Sequence, residues 1–349
     1  MAEKLLFNTA NAVTAQLERC HLQGQPAVRK VLNGRNSPQT PSSWRASTQP
    51  SHWNYWRREY CVYTSDLAEW VAPAQIHLPA LLRAESDYQQ QSHQIELVLE
   101  DLGDCGGLKI KHSHYPEIVR RWARAQALLS QQLQRAQVAW LSQSFLADYI
   151  ESKQAPYALL DADEAWAHPV IERAWPEKLR ERLLQFADRR EAVLAQVAQA
   201  PKIPNHLDFW PNNLFWHEPS ARVYLIDWNF FGWGMPGEDL ANFIPDAVFD
   251  GFVSADQLDS MRSHLVPAYH QGLLEGGYDI SADELHYYVG LAAIKYVWLA
   301  PLLLQRAMEG QYSAYGNVDL ATAQQQEDQY RERGLCLLYL CDWLDEILA

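Results

Sequence analysis

The residues with the clearest chemical potential lie in a short non-helical segment, residues 205–231. This segment contains Asp208, then Asn213 five positions later, and finally Asp227 after a second short apolar run. One carboxylate can accept the proton of an attacking hydroxyl, while an amide oxygen and a second carboxylate can hold Mg²⁺ against nucleotide phosphates. These residue types therefore favour phosphoryl transfer to a hydroxyl group.

A hairpin is expected to bring Asn213 and Asp227 together. Two short apolar runs, Leu214–Trp216 and Val223–Ile226, are typical of strands, and residues 217–220 (HEPS) form a turn between them. Because a hairpin joins its two ends, the two residues can share a metal ion although fourteen positions separate them.

The sequence around these residues resembles the aminoglycoside phosphotransferase family of protein-kinase-like enzymes. Four motifs occur in the order typical of that family: HLDFWPNN at 206–213, IDW at 226–228, a Gly-x-Gly at 232–234 and DLA at 239–241. The His-x-Asp-x4-Asn spacing is also that of the protein-kinase catalytic loop. The close match covers about forty residues, and several motifs in the right order are far more specific than one.

The resemblance implies a role for each matching residue. Asp208 is the expected catalytic base, and Asn213 and Asp227 are the expected metal ligands. His206 is expected to complete the catalytic loop by bracing it through hydrogen bonds, and Asp239 to organise that loop from beyond the glycines. The alternative interpretation of the aspartates is that they are ordinary turn or cap carboxylates.

The nucleotide-binding residues are expected in the first hundred residues. Kinase-like enzymes hold the phosphates with a strand lysine that pairs with a glutamate of the following helix. Lys30, in the predicted strand Ala27–Leu32, and Glu59, in a predicted helix over Trp53–Leu67, fit these roles. Arg29 is the rival of Lys30, and strand alternation allows only one of the two neighbours to point inward.

A hinge is expected directly after the predicted strand Ile95–Leu99. Glu100, Asp101 and Leu102 resemble the segment whose backbone binds the edge of the nucleotide base. The run EDLGDCGG then interrupts regular structure, which predicts a lobe boundary: residues 1–103 as the nucleotide-binding lobe and 104–349 as the catalytic and acceptor-binding lobe.

The remaining pattern predicts an α+β, protein-kinase-like bilobal fold, with a small β-rich lobe and a larger helical lobe that carries the catalytic hairpin. The small lobe has another strand within Val13–Leu22 and a long mobile loop over residues 33–51. Helical spacing of apolar residues predicts helices around Ile118–Leu133, over Leu179–Ala198 and within residues 256–349.

Two departures from the family pattern stand out. Leu207 and Met235 occupy positions where common family members have Gly and Asp. No Gly-rich phosphate loop precedes Lys30, because residues 1–26 contain only Gly24. The missing loop favours a second hypothesis, a kinase-like module that binds nucleotide or a partner with little or no turnover.

Composition excludes several other classes. The chain has 349 residues, 48% hydrophobic and 21% charged, which suits a folded chain rather than a disordered one. Its net charge of −14 argues against nucleic acid as a partner. The sequence predicts no membrane-spanning segment and no signal peptide, and five cysteines without a CxxC pair are expected to be reduced thiols in the cytoplasm.

Charge also bears on the acceptor. Residues 1–60 carry eight basic and three acidic residues, so that segment contributes +5 and the remainder −19. Acidic residues such as Asp246 and Asp250 follow the DLA motif, where the resemblance implies an acceptor site, so a cationic acceptor is predicted.

The predicted activity is ATP- or GTP-dependent, Mg²⁺-dependent phosphorylation of a hydroxyl on a small molecule, which is aminoglycoside-like, choline-like or another metabolite. Protein side chains are a weaker alternative, because only eleven residues separate Asp227 from Asp239 and leave no room for a long activation segment. The sequence leaves the acceptor's identity and the oligomeric state open.

Overall fold

The protein combines one antiparallel sheet with a larger helical part. The computed structural model describes residues 3–86, 93–312, 320 and 322–349. The strands in these ranges are β1 (Glu3–Lys4), β2 (Thr14–Leu22), β3 (Gln25–Asn33), β4 (Ile76–His77), β5 (Leu81–Ser86), β6 (Gln94–Glu100), β7 (Ile203–Asn205), β8 (Leu214–His217), β9 (Arg222–Leu225) and β10 (Gly232–Gly234).

The helices follow mainly after the first hundred residues. They are α1 (Arg58–Tyr63), α2 (Leu67–Val71), α3 (Tyr115–Ala136), α4 (Phe145–Lys153), α5 (Asp163–Trp166), α6 (Pro169–Ala174), α7 (Leu179–Gln199), α8 (Glu238–Phe249), α9 (Leu258–Glu275), α10 (Ala282–Ala292), α11 (Ile294–Met308) and α12 (Ala323–Leu348). The helices predicted around Ile118–Leu133 and over Leu179–Ala198 are confirmed as α3 and α7.

The main sheet has the strand order β1-β2-β3-β6-β5, and every neighbouring pair is antiparallel. Strand β3 is central, and Lys30 in it lies opposite Leu17 of β2 and Leu97 of β6. Strands β1, β4 and β5 did not follow from the sequence, because two are only two residues long and β5 is mostly exposed.

Two small sheets surround residues 205–231, the motif segment. Strands β8 and β9 form the predicted hairpin, with Leu214 opposite Leu225. Strand β4, from before the predicted lobe boundary, pairs in parallel with β9, and β7 pairs with β10. The hairpin is therefore fixed at one edge by a segment more than a hundred residues earlier in the chain.

The helix predicted over Trp53–Leu67 is only partly correct. It begins at Arg58 and ends at Tyr63. The spacing of Trp53 and Trp56 resembles a helical stripe, but the two rings enter different clusters. Trp53 packs against the motif segment and Trp56 against the main sheet. Tertiary packing, rather than a helical period, explains this aromatic pattern.

The helical part has one large hydrophobic core, in which α3 and α9 pack against each other. Gly272 permits their close approach, because a Cβ there would lie 2.0 Å from the carbonyl oxygen of Arg120. The same core takes up Val62, Leu67 and Val71, so packing crosses the boundary predicted at residue 103.

One helical stretch, Ala282–Met308, is long and apolar enough to cross a membrane by length and composition. Length and composition alone do not make it a membrane span, so the expectation that the chain has none stays a prediction. The stretch comprises α10 and α11, and 72% of its most apolar window is buried inside the fold, as in the core helices of many globular proteins.

Candidate active site

Asp208 and Asn213 lie in the turn between β7 and β8. The Nδ2 of Asn213 donates to the backbone oxygen and to Oδ2 of Asp208, each at 2.9 Å. These two bonds fix the side chain of Asn213 and turn its amide nitrogen towards Asp208. Its Oδ1 therefore points away from Asp208, in position to contact a cation.

Asp227 follows β9 and meets Lys30 and Glu59. The Nζ of Lys30 lies 2.9 Å from Oδ1 of Asp227 and 2.6 Å from Oε2 of Glu59. Lys30 and Glu59 are buried, whereas the side chain of Asp227 is 40% exposed. The structure thus brings together residues of β3, α1 and the hairpin end, two of which are 197 positions apart.

Arg29 points to the opposite face of the sheet. Its guanidinium forms ion pairs with Glu18 of β2 and Glu96 of β6. The alternation of β3 therefore directs Lys30 towards the motif segment and Arg29 away from it, and the two neighbours are not interchangeable.

The carboxylates of this site differ in proton affinity. Burial and the charge of Asp227 raise the pKa of Asp208 to about 8. Burial also raises the pKa of Asp227, but Lys30 outweighs it and holds that pKa below its usual range. Burial raises the pKa of Glu59 to about 7, against the opposing effect of Lys30. One aspartate therefore stays ionised beside its cation while the other binds a proton more readily.

His206 and Asp239 hold the loop that carries Asp208. The imidazole Nε2 of His206 lies 3.0 Å from the carbonyl oxygen of Ile226, which ties the loop to the end of the hairpin. The carboxylate of Asp239 accepts hydrogen bonds of 2.7 Å from the backbone N–H of His206 and of Leu207. Burial lowers the pKa of His206 to about 4, so its imidazole is neutral and suited to bracing.

Leu207 explains one departure from the family pattern. Its φ is 66°, in the left-handed region where glycine is at ease and leucine is strained. The hydrogen bond to Asp239 stabilises this conformation, and the side chain packs with Trp53, Phe145 and Phe230. Sequence reasoning assigned Leu207 no role, although a bulky residue at a glycine position signals a local apolar partner.

The three predicted hinge residues follow the end of β6. Glu100 Oε2 accepts from the N–H of Ala80 at 3.1 Å, and Asp101 Oδ1 accepts from the N–H of Gly103 at 2.9 Å. The backbone oxygen of Leu102 accepts from Cys105 Sγ at 3.4 Å. Both carboxylates thus stabilise the local chain, which leaves the backbone as the part of this segment suited to binding a base.

The loop of residues 5–13, between β1 and β2, precedes Lys30 in the chain, in the region where the sequence shows no Gly-rich phosphate loop. It borders the end of β3 that carries Lys30, because the N–H of Asn33 donates to the oxygen of Val13. Asn8 and Asn11 shape it, since their side chains accept from the N–H of Ala10 and Val13. Asparagine side chains, rather than glycines, shape this loop, and the two-residue β1 before it gave no sequence signal.

Arg58 is a buried cation that joins the first hundred residues to the motif segment. Its guanidinium is fully buried and donates to the carbonyl oxygens of Trp53, Trp140 and Asn229, each at 2.8 Å, and to those of Pro50 and His52. Burial lowers its pKa to about 9.

The site fits a hard divalent cation. Asn213 offers an amide oxygen and Asp227 a carboxylate that is open to the cleft, and Mg²⁺ favours oxygen donors with remaining positions filled by water and phosphate. Within the described ranges, no group of three or more His, Cys, Asp or Glu side chains could hold a metal ion. The donor set therefore suits a cation bound together with a nucleotide rather than a closed all-protein metal site.

Comparison with known proteins identifies the family. The model of the phosphotransferase enzyme family matches residues 56–278, which is more than half of the chain. This range includes Glu59, Asp208, Asn213 and Asp227, whereas Lys30 precedes it. No curated protein matches the sequence.

Solved structures share the fold. An amicoumacin kinase in complex with AMP-PNP, Ca²⁺ and Ami has a TM-score of 0.54 at 13% identity, over 97% of this chain and 88% of that one. A thermostable mutant of an aminoglycoside phosphotransferase, in a ternary complex with AMP-PNP and hygromycin B, has a TM-score of 0.50 at 12% identity, over 98% and 94%. The predicted α+β, kinase-like fold is confirmed.

Proposed function

Since this chain belongs to the phosphotransferase enzyme family, we propose that it transfers the γ-phosphoryl group of ATP or GTP to a hydroxyl group of a small molecule. The observation that carries the proposal is the convergence of Lys30 with Asp208, Asn213 and Asp227, from two distant parts of the chain, on one site. Each has the residue type that phosphoryl transfer requires at its position.

The residues divide the work as follows. Lys30, held by Glu59, is positioned to bind the nucleotide phosphates, and Asn213 and Asp227 would hold Mg²⁺. When bound, the metal ion neutralises negative charge on the phosphates. Asp208 accepts the proton of the acceptor hydroxyl while its oxygen bonds to the γ-phosphorus and the bond to the bridging oxygen breaks. A pKa near 8 suits a base that works close to neutral pH.

The solved relatives support the nucleotide and the class of acceptor. Both are described with AMP-PNP, one with Ca²⁺, and both with a small molecule. An aminoglycoside-like, choline-like or other small hydroxyl compound is therefore the proposed acceptor. We also propose a cytoplasmic location, where nucleoside triphosphates are available and where the five free cysteines suit a reducing environment.

The prediction of a cationic acceptor named two carboxylates, Asp246 and Asp250, and both have partners inside the protein. Asp246 accepts from Asn242 Nδ2 at 2.7 Å and lies near Lys295. Asp250 is buried, and its charge acts on Arg333. Both serve internal contacts, so the acceptor's charge must be argued from other side chains.

A screen of hydroxyl compounds for nucleotide consumption tests the proposal. The purified chain is incubated with Mg²⁺, ATP or GTP and each compound, and phosphorylated product is identified by mass spectrometry. The Asp208→Asn variant is the matched control, because it removes the base with little change of shape. Product formed by the parent and not by the variant supports the function. Tight nucleotide binding without product from any compound would favour the binding-module hypothesis.

A further inference from the structure

Asn229, two residues after Asp227, is held at three points. Its side-chain Nδ2 donates to Oδ1 of Asn54 at 3.1 Å, and its backbone oxygen accepts from the guanidinium of Arg58 at 2.8 Å. Its backbone N–H donates to the carboxylate of Asp227, the proposed metal ligand. Asn229 therefore connects that ligand to residues 175 and 171 positions earlier in the chain.

Asn54 is fully buried and continues the connection. Its Nδ2 donates to Oδ1 of Asn11 at 3.0 Å and to the backbone oxygens of Trp44 and Arg45, at 3.3 and 3.0 Å. Because three acceptors surround this position, only the NH₂ half of the amide fits there. The other half, Oδ1, then faces Asn229, which fixes the side chain of Asn229 as the donor.

Asn11 ends the connection in the loop of residues 5–13. Its Oδ1 also accepts from the backbone N–H of Val13 at 3.1 Å, and the oxygen of Val13 accepts from the N–H of Asn33, the last residue of β3. Three buried side-chain amides therefore form one network between this loop and the proposed metal ligand. We call it the amide network: Asn11, Asn54 and Asn229.

The backbone of Asp227 needs support from its surroundings. Its φ is 60°, in the left-handed region where residues other than glycine are strained. Such a conformation persists where neighbouring groups determine it, and it occurs frequently at functional sites. Two contacts hold the carboxylate itself, the Nζ of Lys30 at 2.9 Å and the N–H of Asn229. The position of the carboxylate thus depends on a residue that the amide network anchors.

The amide network carries no charge, which suits a place behind a metal ligand. A buried cation there would repel a divalent ion, and a further carboxylate would compete for it. Neutral hydrogen bonds orient the ligand without changing the charge that the metal ion meets. Hydrogen-bond partners of metal ligands typically contribute roughly 10- to 100-fold to metal affinity.

We propose that Asn229 is a positioning residue for Asp227, held in place by Asn54 and Asn11, and that the amide network thereby sets the affinity of the site for its divalent cation. The inference rests on the proposed phosphotransfer function and adds residues to its metal site. These residues act through Asp227 rather than on the reacting atoms. Asn11 and Asn54 precede the range that the family model matches.

Metal titrations of two alanine variants test the proposal. The probe is Mn²⁺ without nucleotide, which takes the same oxygen ligands as Mg²⁺ and whose free fraction is measured by electron paramagnetic resonance. Asn229→Ala keeps the backbone N–H and removes its anchor, so Mn²⁺ should bind about tenfold more weakly. Asn54→Ala acts through one further hydrogen bond and should weaken binding about threefold.

The double variant shows whether the two amides act together. Because Asn229→Ala already breaks the contact with Asn54, the double variant should bind Mn²⁺ no more weakly than Asn229→Ala alone. Calorimetry should show parent-like binding of metal-free AMP-PNP in all three variants. Turnover should recover at raised Mg²⁺ concentration, which a general loss of structure would not allow.

Two controls define the site and the folding state. Asp227→Ala should abolish Mn²⁺ binding, which shows that the probe reports on this site. Asn36→Ala should leave Mn²⁺ binding unchanged, because this asparagine also joins loop segments but pairs with Ala46, at 2.9 and 2.7 Å. Thermal melting checks each variant, and Asn229→Ala, which removes one hydrogen bond, keeps the test decisive should Asn54→Ala not fold.

Separate readouts distinguish this inference from the proposed function. Weakened Mn²⁺ binding in Asn229→Ala, in a protein that binds no AMP-PNP, would support the positioning role while removing the phosphotransferase proposal. Turnover whose Mg²⁺ requirement is the same in the parent and in Asn229→Ala would leave the proposed function standing and overturn the inference. Additive losses in the double variant, or no Mn²⁺ binding by the parent, would also overturn it.

Discussion

Lys30, on one hand, and Lys153 and Arg306, on the other, differ in whether a carboxylate pairs with them. On the nucleotide side, Lys30 has two carboxylate partners, at 2.6 and 2.9 Å. On α4 and α11, Lys153 and Arg306 have no carboxylate partner within the described part of the chain. A charge with partners is fixed before the ligand arrives, whereas a charge without them gains most when the ligand supplies the opposite sign. Lys30 is thus held in place before the proposed nucleotide binds, whereas carboxylates do not hold Lys153 and Arg306.

The largest effect is expected at Asp208, where the two sides meet. Asp208→Asn keeps the shape of the side chain and removes the proton acceptor, so turnover should fall roughly 10²- to 10⁴-fold. Binding of Mg²⁺-AMP-PNP should remain close to that of the parent. Steady-state kinetics and calorimetry measure the two properties, and undiminished turnover would remove Asp208 as the base.

The next largest effect is expected on nucleotide binding, when only the nucleotide side is changed. Asp227→Ala removes the only carboxylate of the proposed metal pair, so Mg²⁺-dependent nucleotide binding should weaken by more than about tenfold. Titration of AMP-PNP with and without Mg²⁺ gives the result, and parent-like metal-dependent binding would show that Asp227 is not the ligand.

Comparing variants of the neighbours Lys30 and Arg29 tests which of the two serves the nucleotide side. Lys30→Ala should raise the KM for nucleotide about tenfold, because a buried cation aimed at the phosphates is lost. Arg29→Ala removes a partly exposed ion pair on the opposite face and should change that KM by less than about threefold. The reverse order of damage would mean that Arg29, not Lys30, serves the phosphates.

The smallest effect is expected at Leu207, the residue directly before Asp208, and it concerns the stability of the fold. Leu207→Ala and Leu207→Gly both lose the packing against Trp53 and Phe145, but only glycine relieves the left-handed backbone. The glycine variant should therefore be more stable than the alanine variant by about 1 kcal/mol. Urea unfolding of both variants measures the difference, and equal stability would indicate that the leucine backbone carries no strain.

Much of the nucleotide side could be predicted from the sequence. Asp208, Asn213 and Asp227 lie within one segment, where spacing and a hairpin define their geometry. Strand alternation predicted that only one of Lys30 and Arg29 points inward, and the structure shows that it is Lys30. The helix over Trp53–Leu67 was partly wrong because its aromatic spacing arises from two tertiary clusters.

The surroundings of Lys153 and Lys295 could not be predicted in the same way. Lys153 and Lys295 are 142 residues apart on helices whose packing no local pattern specifies. Net charge was the only available signal, and the named carboxylates, Asp246 and Asp250, have internal partners. A site assembled from distant helix faces has no spacing to recognise.

Arg58 has a consequence for how the molecule can move. Its single guanidinium binds backbone oxygens of the loop before α1, of Trp140, and of Asn229, two residues after Asp227. Any rocking of the five-stranded sheet against the helices must either break these bonds or rotate about them. The guanidinium therefore ties the loop before α1 to the segment that carries Asp227, and a displacement of the sheet that keeps these bonds would leave Asp227 nearly stationary.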